Sequence, residues 1–132
     1  MEVKYNEATI NRPEGDRPIE APMVLANIRS LVKQLKSEKA WKDSDRNSIT
    51  IFKSGGMRIV LIAMHKKAEM TTERPDNILS IHVINGRLKV NTSGRTMEVE
   101  EDQVVALQPK VEYTILAAKK TVFLLTVMDC SN

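Results

Sequence analysis

The sequence predicts an all-β domain, a sandwich or barrel, preceded by one helix and an extended N-terminal arm. About eight candidate strands recur from residue 48 onward at spacings of roughly 8 to 12 residues, and turn-forming residues separate them. Between residues 27 and 38 the apolar side chains instead follow the period of a helix. We expect one domain, made of an arm (1–21), a helical leader (22–47) and a β-barrel (48–132).

The first 47 residues are predicted to form the arm and one helix. The prolines at 13, 18 and 22 remove backbone donors and disfavour helix, so the arm is expected to be extended and to cover the domain or reach a second subunit. Asn27 is the expected N-cap. The apolar stripe that follows predicts about three helical turns ending near Glu38, and then Trp41 and a turn at 42–47. The stripe consists of Ile28, Leu31, Val32 and Leu35.

The remaining chain predicts strands at 48–54, 57–64, 78–84, 87–92, 95–100, 104–108, 111–117 and 121–128. Segment 57–64 is almost continuously apolar, as expected for a strand covered on both faces. Asn85-Gly86 predicts a type I′ hairpin between 78–84 and 87–92, because that turn requires positive φ at both central residues. Ser93-Gly94 predicts a second turn.

Composition excludes several classes of protein. The chain has 132 residues, 42% of them hydrophobic, which is enough for a domain to bury its own core. Cys130 is the only cysteine, so no internal disulfide can form, and no Cys/His spacing predicts zinc. We therefore expect a reducing, cytoplasmic location. We expect no membrane insertion, because the N-terminus lacks a signal peptide's apolar region and the longest apolar stretch, 121–128, cannot span a bilayer.

The net charge of +3 lies wholly in the first 60 residues. Arg29, Lys33, Lys36 and Lys39 follow at spacings that place them on one helix face, which would suit phosphate groups. The simpler interpretation is a solvated face whose Lys stems cover apolar surface. Since no aromatic residues interleave with this basic stripe, nucleic-acid binding is not expected. A module that presents the basic helix to a partner stays open as an alternative.

Three segments of the β region carry a family resemblance: RIVLIAMHKKAEM (58–70), ILSIHVINGRLKV (78–90) and DQVVALQPKVEY (102–113). The first is similar to the strand that enters the first cupin motif, the second to the end of that motif with its glycine at Gly86, and the third to the second motif. The chain thus resembles a small single-domain, RmlC-like cupin over a little more than half its length. The resemblance implies a jelly-roll barrel, also called a double-stranded β-helix, and a homodimer.

Cupins typically hold a metal with two histidines and a glutamate from the first motif and a histidine from the second. Counted from Gly86 and Pro109, these positions correspond to Glu73, Pro75, Leu79 and Tyr113. The second motif's usual glycines correspond to Asp102 and Lys110. One carboxylate and one phenol do not make a divalent-metal site, so we predict no bound transition metal and no cofactor.

The resemblance therefore implies a metal-free cupin-like protein that binds a small apolar or acidic molecule in its barrel. The expected lining residues are Met70, Glu73, Leu79, Ile81 and Tyr113. An alternative is an enzyme with isomerase or epimerase chemistry, loosely similar to metal-independent sugar epimerases, in which Glu73 and Tyr113 act as acid and base. A hydrogen-bonded Tyr–Glu pair with no chemistry is the simpler interpretation.

The remaining reactive side chains predict no site. His82 alternates with Leu79, Ile81 and Val83, so it is expected to point outward, at the surface or a dimer interface. His65 follows an apolar strand and is expected at its surface end. Cys130 has no histidine near it in sequence and is read as the terminal residue of the last strand.

Overall fold

Residues 5–6, 17–71 and 76–130 are described by a computed structural model of the chain. The two helices are α1 (Ile28–Ser37) and α2 (Lys39–Asp43). The strands are β1 (Tyr5–Asn6), β2 (Arg17–Pro18), β3 (Arg46–Lys53), β4 (Met57–Met64), β5 (Glu69–Thr71), β6 (Asn77–Asn85), β7 (Arg87–Thr92), β8 (Arg95–Glu100), β9 (Val104–Leu107), β10 (Tyr113–Ala117) and β11 (Thr121–Asp129).

Helix α1 confirms the predicted leader helix. The Asn27 side-chain oxygen accepts a hydrogen bond from the Ser30 backbone N–H at 3.1 Å, as an N-cap does, and Leu35 is fully buried. At the other end, buried Asn47 on β3 donates its side-chain amide to the Leu35 carbonyl at 3.0 Å and to Glu38 Oε1 at 2.8 Å. The helix is thereby tied to the sheet at the point where it stops.

The turn expected at 42–47 is only partly correct. Helix α2 runs through Trp41 to Asp43, and β3 already begins at Arg46. The sequence contains a cluster of turn formers there, but the buried Trp41 ring fixes one further helical turn against β3. Packing of one large side chain outweighs the local turn preference.

Nine strands form two antiparallel sheets. One has the order β3-β4-β11-β6-β9 and the other β5-β10-β7-β8, while β1 pairs only with β2 among the described residues. The predicted all-β jelly-roll class is confirmed. No ladder within the described ranges joins the two sheets into a continuous barrel. Their facing side chains form the main core, which includes Ile62, Leu79, Ile81, Leu88, Val90, Ile115 and Phe123.

A second core lies on the outer face of the five-stranded sheet. Leu35 and Trp41 from the helices pack there against Leu61 and Ala63 of β4 and Val122 of β11. Ile62 and Met64, which alternate with these β4 residues, point into the main core. The predicted burial of 57–64 on both faces is therefore confirmed toward the end of β4, and it explains why that segment is almost continuously apolar.

The hairpin predicted at Asn85-Gly86 is wrong. Strand β6 pairs with β11 and β9, whereas β7 pairs with β10 and β8, so the two residues carry the chain from one sheet to the other. Gly86 has φ +108°, but Asn85 does not have the positive φ that a type I′ turn needs. A Cβ at Gly86 would lie 2.5 Å from the Lys120 carbonyl oxygen. The glycine is needed for this close approach at the crossing.

The positions that correspond to the second motif's glycines adopt a glycine-like backbone. Asp102 and Lys110 both have φ +67°, in the left-handed region. At Ser93-Gly94 the predicted turn is confirmed, since β7 and β8 form a hairpin there and Gly94 has φ +73°. Strand β5 was not predicted, because three residues carry too little pattern. Neither helix of the described residues has the length and apolar character needed to cross a membrane.

Candidate functional site

A cavity of about 410 Å³ is lined by residues of both sheets, and we call it the mouth cavity. Both sheets contribute to its walls, because β3, β4, β6 and β11 supply one side while β5 and β10 supply the other. It is lined by Arg46, Arg58, Glu69, Met70, Thr71, Asn77, Leu79, Tyr113, Leu125 and Val127. Its size lies in the range of small-molecule sites.

Strand alternation supplies the apolar part of the lining. On β11, Leu125 and Val127 face inward, and Val127 lies directly opposite Leu79 of β6. Met70 of β5 approaches from the other sheet. Leu79 is buried in the main core, and Met70 and Leu125 pack against that core. The cavity therefore has an apolar floor continuous with the core of the domain.

Arg46 closes one side of the cavity. Its Nε and Nη2 donate to the two carboxylate oxygens of Asp45 at 2.9 and 3.1 Å, and Nη2 also donates to the Glu69 carbonyl at 2.6 Å. Because β3 and β5 are edge strands of different sheets, this side chain fastens the sheets together. The Arg46 guanidinium also holds the pKa of the Asp45 carboxyl below its usual range, chiefly through their hydrogen bond.

Arg58 lies at the opposite part of the rim. It is exposed, it faces inward beside Val127, and Lys53 of β3 is its direct cross-strand partner. Arg58, Asn77 and Val127 also line an adjoining cavity of about 250 Å³, to which Lys53 and Asp129 contribute. The two cavities thus share a wall that carries charged and polar groups.

Tyr113, at the start of β10, is half-buried and lies where the mouth cavity meets a third cavity, of about 600 Å³. Thr71 is shared by the same two cavities. The phenol of Tyr113 is a hydrogen-bond donor and acceptor, so it adds a polar group to this side of the mouth.

The structure brings three of the five expected lining residues together: Met70, Leu79 and Tyr113 all line the mouth cavity. Ile81 does not line it, since the side chain is completely buried in the main core. Glu73 lies outside the described residues. Sequence reasoning missed Arg46 and Arg58, because no local pattern shows which strand ends lie beside one another in the fold.

The sequence matches no protein-family model and no curated protein, whereas many solved structures share its architecture. A cupin superfamily protein from Desulfitobacterium hafniense is 11% identical with a TM-score of 0.61, covering 64% of this chain and 77% of that one. An RmlC-like cupin from Shewanella frigidimarina is 15% identical with a TM-score of 0.60, covering 67% and 79%. The chain has a cupin fold.

A conserved protein of unknown function from Streptococcus pyogenes shares the fold over a larger part of both chains than these two proteins do. It is 18% identical with a TM-score of 0.61, covering 86% of this chain and 93% of that one. The resemblance to small cupins inferred from the three sequence segments is therefore confirmed at the level of fold. Identities this low carry no activity or ligand from those proteins to this chain.

The usual cupin metal does not fit the described lining of this cavity. Leu79 and Tyr113, which the sequence resemblance aligns with two cupin ligand positions, contribute a hydrocarbon and a phenol, while Arg46 and Arg58 contribute cations. Within residues 5–6, 17–71 and 76–130, no group of three His, Cys, Asp or Glu side chains is placed to hold a metal ion. A divalent cation needs several oxygen, nitrogen or sulfur donors and is repelled by guanidinium groups. The absence of a metal stays a prediction.

Neither histidine lines the mouth cavity. His65 stacks on Trp41 with ring centroids 3.5 Å apart and its Nε2 lies 2.8 Å from the Trp41 carbonyl oxygen, to which it donates. It is therefore a half-buried packing residue at the end of β4. His82 is on the outer face of the five-stranded sheet, between Leu124 and Val104, as its alternation predicted. Cys130 is exposed and follows β11.

Proposed function

We propose that this cupin-fold protein binds a small molecule in the mouth cavity. The observation that carries the proposal is the combination of an apolar floor with polar groups that converge at the rim, because apolar contact holds a small molecule and polar groups orient it. The floor is anchored in the main core, because Leu79 belongs to that core and Met70 and Leu125 pack against it. Met70, Leu79 and Tyr113 are the proposed contacts, and a cytoplasmic location is part of the same proposal.

The experiment is a screen of small polar and apolar molecules by ¹H–¹⁵N NMR. We expect bound compounds to shift the amide resonances of Met70, Leu79 and Tyr113. Met70→Trp should fill the cavity and abolish those shifts. Met97→Trp is the matched control, because Met97 is also partly exposed but lies on β8 outside the cavity lining. If no compound shifts these resonances, or if Met70→Trp binds as the wild type does, the proposal is wrong.

A second candidate is acid–base catalysis by Glu73 and Tyr113 of an isomerase or epimerase type. The position of Tyr113 on the cavity wall supports it, and Glu73 follows Thr71 of the rim by two residues in sequence. A ligand identified in the screen would be incubated with the protein and followed for isomerisation by NMR. Conversion that disappears in both Tyr113→Phe and Glu73→Gln would support catalysis, and an unchanged ligand would exclude it for that compound.

Homodimer formation is the third part of the proposal. The outer face of the five-stranded sheet beyond the helices carries an uncharged patch, the outer patch, in which Val104, Met128 and Ile78 are 61%, 45% and 36% exposed. It consists of Met57, Ile78, Ser80, His82, Val104, Ala106, Thr126 and Met128. A two-fold symmetric contact places a patch against its own copy, so a patch without fixed charge can pair without like-charge repulsion.

The area of the outer patch sets the expected strength of the dimer. From strand spacings, it covers roughly 300 Å² of sheet plane per copy, less than the ~800 Å² that each partner buries in a standard interface. We therefore expect a dimer that dissociates on dilution. Light scattering should show Met128→Lys to be monomeric and Met97→Lys to match the wild type. A wild-type monomer at all concentrations would contradict the dimer, and a dimer that survives Met128→Lys would place it elsewhere.

A further inference from the structure

Two cationic side chains lie next to each other at the rim. Lys53 and Arg58 are direct partners in the β3–β4 ladder, so their side chains leave the same side of the sheet. Like charges directly opposite each other destabilise an antiparallel pair. Within the described part of the chain, neither residue makes a salt bridge. The fold therefore places two positive charges side by side at the edge of the mouth cavity.

Among the described residues, the other charged groups around the mouth form no salt bridge with Lys53 or Arg58. Asp129 borders the adjoining cavity on the same side as Arg58, and Glu69 is exposed on the mouth lining. Arg46 is already engaged by the Asp45 carboxylate and the Glu69 carbonyl. With Asp45 counted, the described residues around the two joined cavities carry three cationic side chains and three carboxylates, and Arg46 is the one of these cations that is ion-paired. Arg58 is the guanidinium that remains available to a ligand.

The surroundings of Arg58 combine this charge with hydrocarbon. Val127 lies opposite Arg58 in the β4–β11 ladder and opposite Leu79 in the β6–β11 ladder, so the apolar floor begins next to the guanidinium. Asn77, on the inward side of β6, adds an amide that can donate a further hydrogen bond. A planar guanidinium beside an apolar wall matches a carboxylate attached to an apolar body.

We propose that the ligand of the mouth cavity is a small organic monocarboxylate, bound through Arg58 and Asn77, with its apolar body on Leu79, Leu125 and Val127. This inference rests on the proposed ligand-binding function and names the chemical class of the ligand. The carboxylate relieves the repulsion between Lys53 and Arg58, so binding and the stability of this edge of the sheet are coupled.

The test uses hexanoate, benzoate and cyclohexanecarboxylate, each with its neutral amide, and hexyl phosphate as a second anion. Binding is followed by NMR titration of the full chain. We expect the acids to shift the cavity resonances and the amides to bind at least about tenfold more weakly. Rising salt should weaken the binding of the acids. Arg58→Gln should weaken the binding of the acids about tenfold or more. Arg95→Gln, a change of the same charge on exposed β8, should have no effect.

The outcomes separate this inference from the proposed function. If the amides bind as tightly as the acids and Arg58→Gln has no effect, the cavity binds ligands but the anionic class is wrong. If none of the acids shifts a cavity resonance, the carboxylate assignment is wrong, and the wider screen then decides the cavity's function separately. If hexyl phosphate binds more tightly than every carboxylate, the site is a phosphate site and the proposal is also overturned.

Discussion

Replacing Gly86 tests whether the chain crosses between the sheets as described. In Gly86→Ala the new Cβ would lie 2.5 Å from the Lys120 carbonyl oxygen, 2.5 Å from Thr121 Oγ1 and 2.7 Å from Thr121 Cα. Thr121 cannot move freely, because it is fully buried and its hydroxyl accepts a hydrogen bond from the Arg87 N–H at 3.0 Å. The contact is therefore made with backbone and with a fixed side chain.

The expected loss of stability has two parts. A non-glycine residue at φ +108° costs about 1–3 kcal/mol, and overpacking costs about 1–3 kcal/mol more. We expect Gly86→Ala to lower the free energy of unfolding by about 2–6 kcal/mol. Gly94 has positive φ, but a Cβ there would have no neighbour within 4 Å. Gly94→Ala should therefore cost only the conformational strain, about 1–2 kcal/mol. Gly55→Ala has neither feature and should change stability by no more than about 1 kcal/mol.

Urea unfolding of the three variants, followed by fluorescence of Trp41, measures this series. Trp41 is the only tryptophan and is buried, so its emission reports loss of the packed state. A cost for Gly86→Ala no greater than that for Gly94→Ala would refute the close approach at the crossing.

The remaining predictions concern backbone strain, pH and metal. Lys110→Gly should stabilise the protein by about 1 kcal/mol, because Lys110 has φ +67° and glycine adopts that conformation without strain. The control Lys119→Gly should not stabilise it. Urea unfolding of both variants measures the difference. Asp45→Asn should cost less than about 1 kcal/mol near pH 7. Arg46 lowers the folded-state pKa of Asp45, so the stability difference between wild type and Asp45→Asn is complete above the unfolded pKa of about 3.9. The difference disappears as the pH falls through the folded-state pKa. Urea unfolding of both proteins across this pH range measures it, and a difference that does not change with pH contradicts the pairing. Metal analysis of the purified protein should find no stoichiometric iron, manganese, nickel or zinc. Finding one would contradict the conclusion that the residues at the cupin ligand positions do not form a metal site.

Periodicity predicted the strands and the helix because both are built from local alternation and burial. Strands β4, β7 and β8 have the predicted bounds, and Asn27 caps the helix as expected. The Asn85-Gly86 hairpin failed because local turn preference does not reveal which strand lies beside which. There, a close approach to Lys120, 34 residues later, determines the need for glycine.

The candidate site was predictable where the cupin resemblance placed residues and unpredictable where distant strands meet. Met70, Leu79 and Tyr113 were expected at the cavity and line it. Arg46 lies on β3 and Arg58 on β4. They join the same site only because the fold brings these two strands next to the other strands of the lining. No spacing along the chain encodes that arrangement, so the charge of the rim emerged only from the structure.

A crystal structure of the protein grown with benzoate tests ligand binding at the mouth most directly. The proposed function predicts the ring against Leu79 and Val127 in the mouth cavity, and the further inference predicts the carboxylate within hydrogen-bonding distance of Arg58. A cavity closed by side chains, or benzoate bound only elsewhere on the surface, would contradict the claim that the mouth cavity is a binding site.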